Sequence, residues 1–406
     1  MPPVQSHRGG GPAEPPAPIV PRSVPFLRAE PSAAGLAAVE RAVRETDLKA
    51  RGAATQRCEQ RLSALLDRPA AVLMVQSCTA ALELSAMLLG VGPGDEVIMP
   101  SFGFASAANA FVLRGATPVF ADIAPGTLNL DPAAVRAALT PQTRAILVVH
   151  YAGVAADMEA LLRIAAEAGV PLVEDAAQGI GAAYRGRPLG TLGALGAISF
   201  DATKNLTAGS GGALIINDPV LAQDAETLRD YGTDRARFAR GEVARYRWVL
   251  AGKNAAMNEL AAAYLAPQLD DLQAITAGRR RTWDRYHAAF AGLERDGLAA
   301  RPLVPAECAS NAHIYALVLN SAAERTRVLA ALREDGVEAT FHYVPLHSAP
   351  AGEQFGRADG PLPQTTDLSA RLLRLPLWND MPDADVAHVI DAVEHRVREH
   401  ATPGAP

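Results

Sequence analysis

The chain reads as an α/β protein: a largely parallel, buried sheet with helices on both faces, followed by a smaller body of mixed helix and strand. Three observations predict this. Short unbroken apolar runs alternate with helical segments between residues 72 and 216, the pattern of strands covered on both faces. After Asn217 that alternation gives way to longer helical stretches and runs of antiparallel flavour. A chain of 406 residues also exceeds one typical core, so two domains are expected. Residues 1–24, rich in Pro, Gly and Ala and without periodicity, read as a disordered tail. Residues 25–265 form the expected large domain and 266–406 the small one.

In chain order, residues 36–42 have helical character, 49–55 are irregular and 59–66 read as a second helix. Residues 72–75 are a short strand, and Gln76-Ser77-Cys78-Thr79 turns directly into an apolar helix at 80–89. Gly92-Pro93-Gly94-Asp95 is a turn, 96–99 a strand ending at Pro100, 102–113 a helix, and 117–120 a strand closed by Asp122. Asp131 followed by Pro132 is the signature of an N-cap and a first helical position, opening 133–139. Residues 145–150 are an unbroken apolar strand, and 157–168 is amphipathic, with Met158, Leu161, Leu162 and Ala165 on one face. Residues 171–178 read as a buried parallel strand with a carboxylate at its C-terminal end, and apolar runs at 197–199 and 213–216 follow.

Beyond these, 221–229 is helical, and 235–247 is charged and aromatic, with arginines at 235, 237, 240, 245 and 247. A helical stretch at 259–290 passes through Pro267, which should kink or break it. Residues 313–319 and 337–341 read as strands, and 323–334 and 386–393 as helices. The last of these carries Val386, Val389, Ile390 and Val393 at helical spacing.

Composition removes whole classes of function. With 49% hydrophobic and 20% charged residues the chain can bury a large core, and a net charge of −6 without a basic block gives no support to nucleic-acid binding. Cys58, Cys78 and Cys308 are too few and too widely spaced for a disulfide framework or a zinc site. His313, His342 and His347 do not have the spacing of a helical metal pair. No apolar run approaches the roughly 20 residues of a membrane span, and the N-terminus lacks the apolar core of a signal peptide. A reducing, cytoplasmic setting is expected, with no metal.

The chemistry concentrates in three places. Ala197-Ile198-Ser199-Phe200 closes an apolar run, Lys204 stands five positions after Ser199, and Ala208-Gly209-Ser210-Gly211-Gly212 leads into the next run. A turn between two strands can hold an amine in a closed pocket, where desolvation lowers its pKa and frees its lone pair. Upstream, Asp175 lies at the C-terminal end of its strand, where open α/β sheets place their ligands. A lysine and an acid so placed are the two protein groups that pyridoxal phosphate requires. Ser77-Cys78-Thr79 sits where a strand becomes a helix, a place that attracts phosphate. Ordinary readings stand beside each: a surface lysine on a hairpin, Ser77 and Asp175 as caps, Gln178 as a loop amide, Phe102 and Phe104 as core. The glycine-rich turn lacks the lysine and hydroxyl of a nucleotide-binding loop.

Taken in order, Ser77-Cys78-Thr79-Ala80-Ala81-Leu82-Glu83, Gly94 to Phe102, Val149-His150-Tyr151-Ala152-Gly153, Val173 to Gln178, and Ser199-Phe200 with Lys204 resemble the DegT/DnrJ/EryC1/StrS sugar aminotransferases. The resemblance runs from about residue 25 to the last helix and is continued by residues 341–347 and 372–377. It implies a fold-type I transferase, with a mostly parallel seven-stranded sheet in the large domain and a smaller α+β domain. It implies pyridoxal 5'-phosphate as cofactor, L-glutamate as amino donor and a dTDP-keto-sugar as acceptor, with a homodimer sharing its active sites. By the same resemblance Lys204 would carry the cofactor and relay a proton, Asp175 would pair with the pyridinium nitrogen, and Gln178 would meet the phenolic oxygen. Phe104 would stack on the ring, and Cys78, Thr79 and Ser199 would hold the phosphate, with Asn254 reaching in from the other subunit. His313 and His347 would face the substrate. The chain departs from the family pattern at Gly103, at Gly209-Ser210-Gly211-Gly212, and at Ala255 and Ala256 after Asn254.

Overall fold

The computed structural model describes residues 23–28, 32–45, 48 and 51–401. Its centre is a seven-stranded sheet built from β1 (Ala71–Val75), β2 (Glu96–Pro100), β3 (Thr117–Ala121), β4 (Thr143–Val149), β5 (Leu172–Asp175), β8 (Leu195–Ser199) and β9 (Gly212–Ile216). Between β5 and β8 lie the two-residue strands β6 (Ala183–Tyr184) and β7 (Arg187–Pro188). The order across the sheet is β1-β9-β8-β5-β4-β2-β3. β9 runs antiparallel to both β1 and β8, and the other neighbouring pairs are parallel. The expected α/β class and parallel sheet are therefore present, with one reversed strand.

Period-two alternation divides each strand between two cores. Met74, Ile146, Val148 and Ile215 belong to the core on one face; Leu73, Val75, Leu147 and Leu214 belong to the core on the other. Helices cover both faces, and their ends are capped, at Asp131 as expected. Asp131 and Asp157 accept the N–H of Ala133 and Ala160 at 3.0 and 3.1 Å, and Gly169 ends its helix at φ 68°.

The reversed strand has a positional consequence. Its first residue, Gly212, pairs with Val75 on one side and Ser199 on the other. This draws the N-terminus of the helix Cys78–Leu88 and the end of β8 together across a single glycine. A Cβ there would stand 2.5 Å from both the Cys78 nitrogen and the Ser77 carbonyl carbon. Backbone cannot move aside as a side-chain tip can, so Gly212→Ala should cost about 3 kcal/mol. The expected result is a lower thermal midpoint. An unchanged midpoint would show that the two segments are further apart than drawn.

The C-terminal part has its own core around Tyr286, Tyr315, Leu317, Trp378, Val389 and Val393. It contains a three-stranded sheet, β10 (Ala299–Ala300), β12 (Ala316–Leu319) and β13 (Leu372–Arg374), while β11 (Cys308–Ala309) pairs with β6. Four local expectations are corrected. The helix at 102–113 is shorter, Ala105–Val112, because Phe104 takes extended backbone as its N-cap on the wall of the cavity described below. Pro267 lies within the helix Glu259–Asp270, and the break falls at Asp271, before Leu272–Ala289. Residues 337–341 do not form a strand: Val337 bridges to Val24 and Thr340 to Arg374, so the segment divides its partners between two neighbours. The expected tail ends too late. Residues 1–22 lie outside the described residues, but Val24 is fully buried, donating its N–H to Gly336 O at 2.7 Å and accepting from Glu338 N at 3.0 Å.

Candidate active site

The C-terminal ends of β1, β4, β5 and β8 open on one side of the sheet, and segments from the C-terminal part close over them. The cavity between them measures about 570 Å³. Its wall includes Cys78, Thr79, Phe104, Asp175, Gln178, Ser199, Lys204 and His313 from the sequence-predicted set.

At one end lies the start of the helix Cys78–Leu88. The Ser77 hydroxyl is used as its cap, accepting from Ala80 N at 3.1 Å. The N–H groups of Cys78 and Thr79 find no acceptor among the described residues. Orphan donors at a helix start, with the helix dipole behind them, make an anion site. Burial pushes the Cys78 thiol well above its ordinary pKa, so it stays neutral beside them.

In the middle stands Asp175. The sequence places two acids side by side, and the pleat separates their tasks. Glu174 turns away, accepting from Gly190 N at 2.8 Å, from Leu192 and Gly193 N at 2.6 Å each, and from His150 Nε2 at 2.9 Å. The Ala156 N–H reaches His150 Nδ1 at 3.3 Å, so the ring proton is on Nε2. His150 N also donates to Asp175 O at 3.1 Å, which fixes the strand end. Asp175 itself faces the cavity with one protein hydrogen bond, from Ala177 N at 3.0 Å. Burial raises its pKa; that N–H and the charge of Lys204 oppose the rise. A buried carboxylate with spare acceptor capacity suits a cationic N–H from a bound ring.

Lys204 enters from the turn after β8. Its backbone N–H donates to Asp201 O at 3.0 Å, and its ammonium has no acceptor within hydrogen-bond reach among the described residues. Burial lowers its pKa, against the pull of Asp175 and Asp201, so more of the amine is free at neutral pH. The next residue has a second task. Asn205 Nδ2 donates to Asn311 O at 3.0 Å, which leaves Oδ1 to accept from His313 Nδ1 at 2.8 Å. His313 is held neutral by burial and neighbouring cations, so its Nε2 carries a lone pair.

Phe104 keeps 64% of its surface exposed, an aromatic face left open at the cavity rather than packed in the core. Gln178 is partly committed: its Oε1 accepts from Ala152 N at 2.6 Å and its Nε2 donates to Tyr343 OH at 3.1 Å. One amide hydrogen remains. Phe102, by contrast, fits its core reading: it is buried, with its ring against Tyr151 and Tyr343 at centroid distances of 4.9 and 5.4 Å.

Two predicted residues are not on this wall. His347 stands behind Ser101, accepting or donating at Nδ1 across 2.7 Å to the serine hydroxyl. Asn254 is exposed, on the backbone that bridges to Asp230. Sequence reasoning missed Phe26, Arg279, His342, Tyr343 and Arg374, all on the wall. A charged residue inside the apolar run Leu372-Leu373-Arg374-Leu375 was the one signal that could have found Arg374. Among the described residues no three His, Cys, Asp or Glu side chains cluster as a metal site, and no helix is long and apolar enough to cross a membrane.

Comparison with known proteins places this geometry. The DegT/DnrJ/EryC1/StrS aminotransferase family matches residues 32–394. The spore coat polysaccharide biosynthesis protein SpsC of Bacillus subtilis (strain 168) is 36% identical over 362 residues, covering 87% of this chain and 92% of that one. Among solved structures, the aminotransferase TlmJ from Streptoalloteichus hindustanus superposes with a TM-score of 0.84 at 36% identity, covering 91% of this chain and 97% of that one. The PLP form of Spr1654 from Streptococcus pneumoniae superposes with a TM-score of 0.86 at 25% identity, covering 94% and 100%.

Proposed function

The chain belongs to the DegT/DnrJ/EryC1/StrS aminotransferase family, and from that premise we propose that it moves an amino group from L-glutamate to C4 of dTDP-4-keto-6-deoxy-D-glucose. It is a sugar aminotransferase that works with pyridoxal phosphate. The finer reading is a dTDP-4-amino-4,6-dideoxygalactose transaminase or its gluco counterpart. One observation carries the chemistry: Lys204, Asp175 and the orphan N–H groups of Cys78 and Thr79 face a single cavity. These residues fit the cofactor, because among the described residues the amine and the helix-start N–H groups have no partner and the carboxylate keeps spare acceptor capacity.

When bound, the cofactor supplies an electron sink. The chain's own residues do the rest. The helix start and Ser199 would hold the phosphate, Phe104 would cover one ring face, and Asp175 would keep a positive charge on the ring nitrogen. The remaining amide hydrogen of Gln178 would be given to the phenolic oxygen. Lys204 holds and returns the proton exchanged at the reacting carbon, and the face from which it acts decides the C4 epimer. His313, through Nε2, accepts a substrate hydroxyl; His347 sits too far back for that role. Incubating the enzyme with L-glutamate and a panel of nucleotide keto-sugars tests the reading, with products identified by mass and NMR. A 4-amino-4,6-dideoxyhexose is expected. Turnover confined to 3-keto-sugars or another nucleotide would replace the acceptor, and cofactor binding without turnover on any sugar would leave a regulator.

The homodimer with shared sites is part of the same proposal. It is supported by an exposed Asn254 that its own cavity does not use and by exposed Tyr231, Tyr246 and Trp248 nearby in the chain. Mixing Lys204→Ala with Asn254→Ala chains should restore about a quarter of wild-type activity, because about half the dimers carry one intact site of two. Activity equal to the mean of the two parents after verified exchange would assign Asn254 to its own subunit or to none.

A further inference from the structure

Ser101 directly follows β2, His347 lies in the C-terminal part, and neither is on the cavity wall. Three hydrogen bonds nevertheless join Ser101 to the turn at Leu346 and His347. The Ser101 carbonyl accepts from Leu346 N at 2.9 Å, and its hydroxyl oxygen accepts from His347 N at 3.0 Å. The same hydroxyl meets His347 Nδ1 at 2.7 Å. Burial holds the imidazole below its ordinary pKa, against the pull of the Asp122 charge, so the ring is neutral and Nδ1 can take the serine proton. Ser101 is itself fully buried and tied to the sheet, its N–H donating to Ala121 O at 3.2 Å. A hydroxyl so placed is costly without its partners, which favours this one arrangement.

The contact borders the cavity through both of its partners. Phe102, the residue after Ser101, sets its ring against Tyr343 at 5.4 Å, and Tyr343 precedes His347 by four positions. At the far end of the same stretch, Thr340 N donates to Arg374 O at 3.0 Å and Arg374 N to Thr340 O at 2.7 Å. Residues 341–346 are thus held at both ends, by β13 and by Ser101. Between the two holds Tyr343 lies on the cavity wall, where its hydroxyl accepts from Gln178 Nε2 at 3.1 Å. The other bond of the Gln178 side chain runs from Ala152 N to Oε1 at 2.6 Å. With both bonds the amide plane is fixed and its second hydrogen has one direction. Without Tyr343 the amide can turn about the bond from Ala152.

We propose that Ser101 and His347 form a latch, a pair of positioning residues that hold Tyr343 on Gln178 and so set the hydrogen bond that Gln178 gives the cofactor's phenolic oxygen. The proposal rests on the Gln178 role given above and not on the identity of the sugar or of the amino donor. A general brace between the two parts of the chain is supplied elsewhere. Arg357 Nε and Nη2 each reach a Glu96 carboxylate oxygen at 2.9 Å, and Asp122 accepts from Thr365 N at 2.8 Å. Of these contacts the one at Ser101 is nearest in the chain to Tyr343, so its loss frees Tyr343 before it frees the C-terminal part.

Hydrogen exchange and the absorbance of the bound cofactor test the two halves of this. In the chain without cofactor, Ser101→Ala should speed amide exchange across residues 341–349 by about 10-fold, the scale of one lost hydrogen bond. In the holoenzyme, a donor at the phenolic oxygen stabilises its negative charge and weakens its hold on the neighbouring proton. The pH midpoint of the cofactor's absorbance change should therefore rise by about half a unit to one unit in Ser101→Ala and in His347→Ala. His347→Asn, whose side-chain oxygen can take the serine proton, should return both readouts toward wild type. The double variant should shift no further than the worse single one, because the two residues act through one contact. Tyr343→Phe keeps the ring and removes the hydroxyl, so it should raise the midpoint equally without the faster exchange. Should Ser101→Ala fail to fold, His347→Ala and Tyr343→Phe decide by the same two readouts. The proposal is overturned if exchange stays slow, or if it rises while the midpoint does not move, which would leave the pair a plain brace. Gln178→Ala separates the two readings: no shift in that variant would remove the Gln178 role and the proposal with it, whereas a shift there but not in Ser101→Ala would remove the latch alone.

Discussion

Lys204→Ala is expected to lower transamination by more than about 10⁴-fold, because in the role proposed for it one substitution removes both the amine that bonds the cofactor and the base that moves the proton. Few lysines compete for the role. The chain's lysines are Lys49, Lys204 and Lys253; Lys253 pairs with Glu83, and Lys49 lies outside the described residues. Borohydride reduction of the wild-type holoenzyme followed by peptide mapping should therefore label the peptide that contains Lys204. The variant should show no covalent label, yet retain cofactor through the helix start, Ser199 and Asp175. A label on the Lys49 or Lys253 peptide would overturn the assignment. Loss of all cofactor from a folded variant would mean that the noncovalent contacts are weaker than the orphan donors suggest.

Asp175→Asn is the second large effect. An amide is nearly the same size as the carboxylate, so the Ala177 hydrogen bond and the packing of β5 should survive. What disappears is the negative charge that keeps the ring nitrogen protonated, and with it the electron sink. Both half-reactions should slow by about 10²- to 10³-fold, the scale of removing one preorganised electrostatic partner. The two rates should fall together, and the cofactor's absorption should shift as its ring nitrogen loses its proton. A loss confined to the sugar half-reaction would move Asp175 into the substrate pocket. Glu174→Gln should act differently: it exchanges one of the two oxygens that hold Gly190, Leu192, Gly193 and His150 for an NH2 donor facing donors, and so should lower stability before it alters chemistry.

That contrast shows how much of the site was legible beforehand. Ser77-Cys78-Thr79, Asp175 and Lys204 each lie beside a strand end, and a strand end can be read from a few adjacent residues. Phe104 and Gln178 were legible only through resemblance, since an aromatic or an amide in a loop has no chemical signature of its own. Asn254 and His347 carried the same kind of support, yet they lie off the wall of their own chain's cavity. The segment at 337–341 looked like a strand because Val337, Ala339 and Phe341 alternate with polar residues, but its hydrogen-bond partners are single residues on two separate segments.

By itself, then, the amino-acid order determined the alternation of strand and helix, the helix caps at Asp131 and Asp157, and the choice of chemistry at three strand ends. These follow from side-chain periodicity and local hydrogen bonding, which act over a few residues. The tertiary structure alone decided the strand order that sets Gly212 between Val75 and Ser199. It also decided which of two adjacent acids faces the cavity, and the closure of that cavity by Phe26, His313, Tyr343 and Arg374. Those contacts join segments far apart in the chain, where loop closure and competing burial select the partners and no local pattern records the outcome.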